Sequence, residues 1–421
     1  MLAATWRAVQ PDGAIMVWSD LRSAPSLLRT LDSLHPRPVT RDRYVELDVL
    51  GHAKVALPTA PRVVAGAASS TLPANRAISR IAREVYRTLA RAGLAQWLPT
   101  RCAYVIAAAP PTDDSAVALL TRWQPRRLYF SVHSGLPGAT QKLNIRLFDE
   151  AGKLVAIAKV AAHVAADETI SREIAALQYA ATHAAIASRV PRLVDHGTIG
   201  ARPFLVQSIV EGTPATAVGA RLDPRVLELL RVLAQSTSEQ MRFDEAAGVQ
   251  AVYRRVARVI EAGAPPWPRL LARLQQRVRQ TAPQLITTVL AHRDFTPWNL
   301  LLTADRANVV DWEFAQTQHV PLCDLVHYLV QYAVLVEKSD VRATVGACRD
   351  VLQHASTMAA IGRRPLSRRE QQFALAFYLL DTVSFYQANY LVQRPPFWQV
   401  DWLEGVWFNM SMEVLSEAVD G

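Results

Sequence analysis

Between Leu128 and Val160 the apolar positions recur at every second residue. Leu128, Phe130 and Val132 alternate with other residues, as do Leu143, Ile145 and Leu147, and an apolar run from Leu154 to Val160 follows the turn Asp149-Glu150-Ala151-Gly152. A period of two sets alternate side chains on opposite faces of a strand, so three antiparallel strands are predicted here. The period then lengthens. Ile170, Ile174 and Leu177 fall on one face of a helix predicted from about Asp167 to Ala185, with Glu173 beside them. Extended pieces around Val190 to Val194 and Pro203 to Val210 complete a five-stranded sheet with one helix, and Glu211-Gly212-Thr213-Pro214 interrupts the pattern as a hinge. Beyond it, Asp223-Pro224 reads as a helix cap with a favoured first-turn residue, and Val226, Leu229, Leu230 and Leu233 form an apolar stripe. The remainder is predicted to be mostly helical.

The region before residue 126 carries a strand pattern at Ala14 to Trp18, a Pro- and Ala-rich middle, and an amphipathic helix pattern from Ala77 to Leu94. It either extends the lobe that these strands and their helix form or makes a separate α/β piece. The domains read as residues 1–125, 126–213 and 214–421.

Composition narrows the class. With 421 residues, half of them hydrophobic, the chain can bury a large core. A net charge of +9 would suit an acidic partner, yet the arginines stand singly or in pairs (Arg126-Arg127, Arg363-Arg364, Arg368-Arg369), with no basic run interleaved with aromatics. Nucleic acid is therefore not expected as a partner. Cys102, Cys323 and Cys348 share no metal-ligand or redox spacing and read as buried thiols of a reducing cytoplasm. No window approaches the roughly 18 apolar residues of a membrane span, and the first residues lack a signal-peptide core.

The chemistry concentrates in one segment, His292-Arg293-Asp294-Phe295-Thr296-Pro297-Trp298-Asn299, followed by an apolar run to Val310 and then Asp311-Trp312-Glu313. It reads H-R-D-x-x-x-x-N, the catalytic-loop spacing of protein kinases, with a further Asp at a strand end. Phosphoryl transfer needs positioning and charge neutralisation: acids that hold a metal, a cation for the phosphates, and an acceptor near the attacking oxygen. Asp294 would orient a substrate hydroxyl and accept its proton. Asn299 and Asp311 would coordinate Mg2+ together with the triphosphate, since magnesium favours oxygen ligands.

The loop and the Asp-Trp-Glu that stands where a protein kinase has Asp-Phe-Gly resemble the aminoglycoside phosphotransferase and choline kinase family, over roughly residues 126 to 421. The largest departure is Arg293, where most small-molecule members carry Gly. The resemblance implies an α+β, protein-kinase-like two-lobe fold, with a small antiparallel-sheet lobe, a helical large lobe and, in this chain, an N-terminal extension. It also implies that Lys159, in Ile-Ala-Lys-Val, reaches the nucleotide phosphates and that Glu173 holds it in place. The connection from Gln207 through Ile209 to Glu211 would contact adenine through its backbone. Glu313 would lie near the metal, Asp324 would bond to the catalytic-loop backbone, and His292 would support the loop. Gly135 and Gly138, between the first two predicted strands, could admit phosphates to backbone N–H groups. They lack the full G-x-G-x-x-G spacing, and a hairpin turn reads equally well.

The function expected is transfer of the γ-phosphoryl group of ATP, with GTP open as donor, to a hydroxyl of a small molecule. The acceptor would lie among the C-terminal helices, where Phe385, Tyr386, Tyr390, Phe397, Trp398, Trp402, Trp407 and Phe408 cluster and the chief acids are Asp381, Asp401 and Glu404. Aromatics at helical spacing also build core. So few acids fit a neutral or anionic compound, such as a sugar or glycan precursor, better than a polycationic antibiotic. The alternatives are an aminoglycoside-type antibiotic phosphotransferase and a nucleotide-binding pseudoenzyme or scaffold whose N-terminal region holds a protein partner. Phosphorylation of protein side chains is disfavoured, because neither Asp-Phe-Gly nor Ala-Pro-Glu is present.

Overall fold

A computed structural model describes residues 14–19, 40–49, 53–72, 77–94, 101–107, 128–134, 141–199, 202–217, 221–392 and 398–418. They fall into two compact units, one within Met1–Ile170 and Leu193–Ile209, the other within Ser171–Arg192 and Val210–Gly421.

The first unit is built on strands β1 (Ala14–Ser19), β2 (Thr40–Val49), β3 (Ala53–Pro58), β4 (Arg101–Ala107), β5 (Tyr129–Ser134), β6 (Lys142–Phe148), β7 (Leu154–Ala161), β8 (Leu193–Ile199) and β9 (Arg202–Ser208). They form one nine-stranded sheet in the order β1-β4-β2-β3-β5-β6-β7-β9-β8. The predicted five-stranded sheet is β5 to β9. What adds the other four strands is the pairing of β3 with β5, with Val55 opposite His133 and Ala56 opposite Val132. That pairing satisfies backbone groups that would otherwise form an open edge. Helices α1 (Arg62–Ser69) and α2 (Ala77–Ala92) supply side chains to a core that includes Val64, Ala68, Tyr86, Tyr129 and Phe148.

In β5 this packing buries the side chains that alternate with Phe130 and Val132. Tyr129, Ser131 and His133 are buried, while Phe130 and Val132 are half-exposed. Phe130 packs on the other core of the sheet, with Leu147, Ala158 and Phe204. When both faces are covered, a period of two gives the alternation without saying which side is wetter. The inward His133 is held in a polar cluster, its Nε2 lying 3.0 Å from Arg146 Nη1, 3.2 Å from Ser131 Oγ and 3.3 Å from Thr71 Oγ1. Burial and the Arg146 charge push the His133 pKa down to about 3, so it is the neutral acceptor for Arg146.

Helix α3 (Val164–Ala181) starts and ends a few residues before the predicted span, and α4 (Ala184–Ala187) follows it. The second unit continues with β10 (Thr213–Pro214), α5 (Pro224–Thr237), β11 (Glu239–Arg242), α6 (Ala247–Ala262), α7 (Trp267–Thr281), β12 (Leu285–Ala291), β13 (Leu300–Leu302), β14 (Ala307–Val309) and β15 (Gln316–His319). It ends with α8 (Cys323–Gln331), α9 (Val341–Gln353), α10 (Ala355–Ala360), α11 (Arg368–Val392) and α12 (Trp398–Ser416). The cap of α5 is as predicted: Asp223 accepts from Arg225 N and Pro224 opens the helix. In the segment predicted to be a hinge, β10 pairs with β13, and Gly212 has φ +137°. A Cβ there would meet the Leu301 carbonyl carbon at 2.8 Å, so only glycine fits.

Helices α6, α7, α11 and α12 contribute to one large apolar core. Of the C-terminal aromatics whose side chains are described, Tyr386, Trp407 and Phe408 belong to this core or pack against it, while Phe385 meets Phe314 edge-on at 4.8 Å. Trp407 is buried and stacks on Tyr386 at 4.3 Å, and Phe408 meets Trp267 edge-on at 6.0 Å. The side chains of Tyr390, Phe397, Trp398, Asp401 and Trp402 lie outside the described residues. Cys323 and Cys348 are free buried thiols, and no helix among the described residues is long and apolar enough to cross a membrane.

Candidate active site

Strand β12 delivers the chain into the His292–Asn299 turn, and β13 and β14 carry it on to Asp311. Two hydrogen bonds from Asp324, the second residue of α8, fix the start of the turn: His292 N donates to Oδ2 at 2.7 Å and Arg293 N to Oδ1 at 2.8 Å. The His292 ring is fully buried and lies 4.8 Å from the Trp312 ring. Its Nε2 donates to Val310 O at 3.0 Å, which leaves Nδ1 to accept from Asp294 N at 3.3 Å. One ring thus ties the loop carrying Asp294 to the strand end carrying Asp311.

Asp294 and Asn299 are in direct contact. Asn299 Nδ2 donates to the Asp294 carboxylate Oδ2 at 2.8 Å and to its carbonyl at 3.0 Å. Both amide protons are used there, so Asn299 Oδ1 is left as an acceptor. Val310 N donates to Asn299 O at 3.0 Å, which brings the following residue, Asp311, beside Asn299. Asp311 has φ +70°, a left-handed conformation that costs an Asp side chain about 1 kcal/mol. An amide oxygen and a carboxylate at adjacent positions are the hard donors a magnesium ion takes, with the remainder of its shell open to phosphate and water. The donor set therefore fits the ion.

Arg293 also has a left-handed backbone, at φ +66°, a conformation that glycine adopts without strain. Here its side chain is anchored. Arg293 Nη2 and Nε donate to Asp381 Oδ1 and Oδ2 at 2.7 and 3.0 Å, Nη1 donates to Phe314 O at 3.3 Å, and the guanidinium lies 5.0 Å from the Phe385 ring centre. Arg255 bonds the same carboxylate, and His319 Nε2 lies 3.2 Å from it. Burial alone would raise the Asp381 pKa, but the Arg293 and Arg255 charges outweigh it and hold the group well below the usual carboxylate range. Asp381 is thus an internal counter-ion and not an open acid for a cationic acceptor. Glu404, the other described acid of that region, accepts from Gln387 at 2.9 Å.

Sequence reasoning missed His327. It is buried on α8, three residues after Asp324 and so on the same helical face, and its Nε2 lies 3.6 Å from Asp294 Oδ1. Its Nδ1 lies 3.2 Å from the Tyr378 hydroxyl. Burial pushes the Tyr378 phenol well above its ordinary range, so the hydroxyl beside His327 stays protonated, and the buried Nε2 of His327 has no hydrogen-bond partner among the described residues. The spacing from Asp324 was the only signal available in the sequence.

Of the other sequence-derived residues, Lys159 and Gln207 lie in the first unit on neighbouring strands. Lys159 opposes Leu205 and Gln207 opposes Ile157, so both point to one face, and both are buried. Gln207 Oε1 is buried without a hydrogen-bond partner among the described residues. Ile209 follows β9 as the last residue of this unit. Glu173 is fully buried on α3 in the second unit, and Glu313 is half-buried with its carbonyl 3.5 Å from Arg172 Nη1. Gly135 and Gly138 lie outside the described residues.

Several solved structures are similar to this chain. The aminoglycoside phosphotransferase APH(3'')-Id of Streptomyces rimosus ATCC10970, solved with ADP and streptomycin, is 23% identical and is matched over 57% of this chain and 90% of its own, with a TM-score of 0.41. A thermostable mutant of aminoglycoside phosphotransferase APH(4)-Ia, with ADP and hygromycin B, is 12% identical over 74% of this chain and all of its own (100%), with a TM-score of 0.48. A choline/ethanolamine kinase family protein from Mesorhizobium loti is 17% identical over 65% of this chain and 85% of its own, with a TM-score of 0.44. No curated protein matches the chain. The sequence model described as the phosphotransferase enzyme family matches residues 142–361, which include Lys159, the Asp294–Asn299 pair and Asp311. That span is more than half of the 421 residues, and the chain belongs to this family of small-molecule kinases.

Proposed function

We propose that the protein transfers the γ-phosphoryl group of ATP, with Mg2+, to a hydroxyl of a neutral or anionic small molecule such as a sugar or glycan precursor. The observation that carries this reading is the Asp294–Asn299 contact: one amide fixes the carboxylate through Nδ2 and keeps its own Oδ1 as a metal ligand. Asp294 orients the acceptor hydroxyl and takes its proton as the new O–P bond forms and the bond to the departing ADP breaks. Asn299 and Asp311 hold the magnesium, which neutralises charge on the phosphates when bound. Lys159 supplies a cation for the nucleotide, and the unsatisfied Oε1 of Gln207 on the same face is a buried acceptor that a nucleotide N–H would satisfy.

Two features support the acceptor class. Asp381, the buried acid among the chief acids of the predicted acceptor region, is already bonded to two guanidiniums. Trp298, beside Asn299, is 42% exposed and offers the flat surface on which the C–H face of a sugar stacks.

Calorimetric titration of ATP with and without magnesium tests the reading without knowledge of the acceptor. Binding should depend on magnesium in the wild type and lose that dependence in Asp311→Asn. Asp294→Asn should keep nucleotide affinity while turnover falls by about 10²- to 10⁴-fold, the usual contribution of a general base. Full turnover in Asp294→Asn, or magnesium dependence kept in Asp311→Asn, would remove the assigned roles.

A further inference from the structure

The second unit contains a cleft of about 440 Å³ lined by none of His292, Asp294, Asn299 or Asp311. Its walls come from the start of β12, the segment before α8 and the first turns of α11, and they are mainly apolar: Leu285, Ile286, Leu322, Leu366 and Phe373. Leu285 is 63% exposed, so its side chain is available to an occupant of the cleft. The volume lies within the range of small-molecule sites.

Three charged residues line this cleft. Glu370 is used locally, accepting from Arg364 at 2.6 and 2.9 Å and from Ser367 N and Oγ at 2.9 and 2.8 Å. Arg369 Nη2 donates to Gln280 O at 2.7 Å. Arg363 bonds through its backbone N–H to Met358 O, but its guanidinium has neither a hydrogen-bond acceptor nor a carboxylate partner among the described residues. A half-buried guanidinium against apolar walls, its charge disfavoured by burial, calls for an anion.

We infer that this cleft binds an amphipathic carboxylate, its head bidentate on Arg363 and its aliphatic body on Leu285, Leu322 and Phe373. A planar guanidinium matches a carboxylate bidentately, and the apolar walls suit an acid that carries an aliphatic body. Leu322 lies two residues before Asp324, which holds the His292 and Arg293 amides, so the occupant sits beside the support of the catalytic loop. The site does not depend on the phosphotransferase reading.

The test is calorimetric titration of the full chain with sodium octanoate, and with octan-1-ol as the neutral counterpart. Octanoate should bind at a single site about tenfold more tightly than octan-1-ol, the worth of a charged hydrogen bond. Arg363→Gln should bring octanoate down to the affinity of the alcohol. Its thermal midpoint should match or exceed that of the wild type, because it removes an unpaired charge. Leu366→Trp, which fills the cleft and leaves Arg363 in place, should weaken both ligands and stands as an independent check should the first variant fold poorly. No octanoate binding, equal affinity for acid and alcohol, or binding unchanged in both variants would overturn the site.

Discussion

His327, outside the recognised motif, and Arg293, within it, show how single side chains surround the loop that carries Asp294. Asp294 is bonded on Oδ2 by Asn299, and the buried, unpartnered Nε2 of His327 lies 3.6 Å from its Oδ1, just outside hydrogen-bond distance. His327→Ala should lower kcat by about tenfold with the KM for ATP unchanged, since a donor that closes on Asp294 in the substrate complex is worth about that much. Steady-state kinetics check this, and His327→Gln, which keeps an N–H donor, should recover most of the rate. A merely structural role would lower the melting temperature in both variants without separating kcat from KM. At Arg293 two effects oppose each other. Arg293→Gly would recover about 1 kcal/mol of left-handed backbone cost. It would also strip one partner from the buried Asp381, a loss of about 3 kcal/mol. Denaturant unfolding should therefore show a net destabilisation of about 2 kcal/mol, and a more stable variant would mean that Arg255 and His319 satisfy Asp381 alone.

At the scale of elements, the sheet of the first unit carries a pH response of its own. His133 is held neutral among Arg146, Ser131 and Thr71, with its pKa at about 3 against 6.5 in the unfolded chain. Between these values the unfolded state binds the extra proton, so stability rises with pH through this window. The contribution is fully present above about pH 6.5 and is lost as pH falls toward 3. At pH 5 the loss is about 2 kcal/mol. A thermal melt series from pH 7 to 5 should show a steeper decline in the wild type than in His133→Gln, and parallel declines would rule out His133 as the group responsible. The same element shows where periodicity is ambiguous. It predicted β5 to β7 as strands, but burial of Ser131 and His133 rather than Val132 was decided by α1 and α2, elements far away in sequence.

For the whole molecule, acceptor choice is the open consequence of charge. With a net charge of +9 and Asp381 neutralised internally, phosphoryl transfer to neutral or anionic hydroxyl compounds should exceed transfer to a polycationic aminoglycoside by kcat/KM. A parallel acceptor screen with ATP measures this ratio directly, and preference for the aminoglycoside would reverse the assignment. The sequence by itself determined the strands β5 to β9, the Asp223 cap of α5, and the Asp294, Asn299 and Asp311 spacing. Each of these rests on local geometry: a period, a cap, or the distance along one loop. The nine-stranded sheet, the inward face of β5, the Arg293–Asp381–Arg255 cluster and His327 beside Asp294 were decided by tertiary structure alone. They join residues 33 to 126 positions apart, or strands separated by a whole connection, and such pairings leave no periodic trace in a single chain.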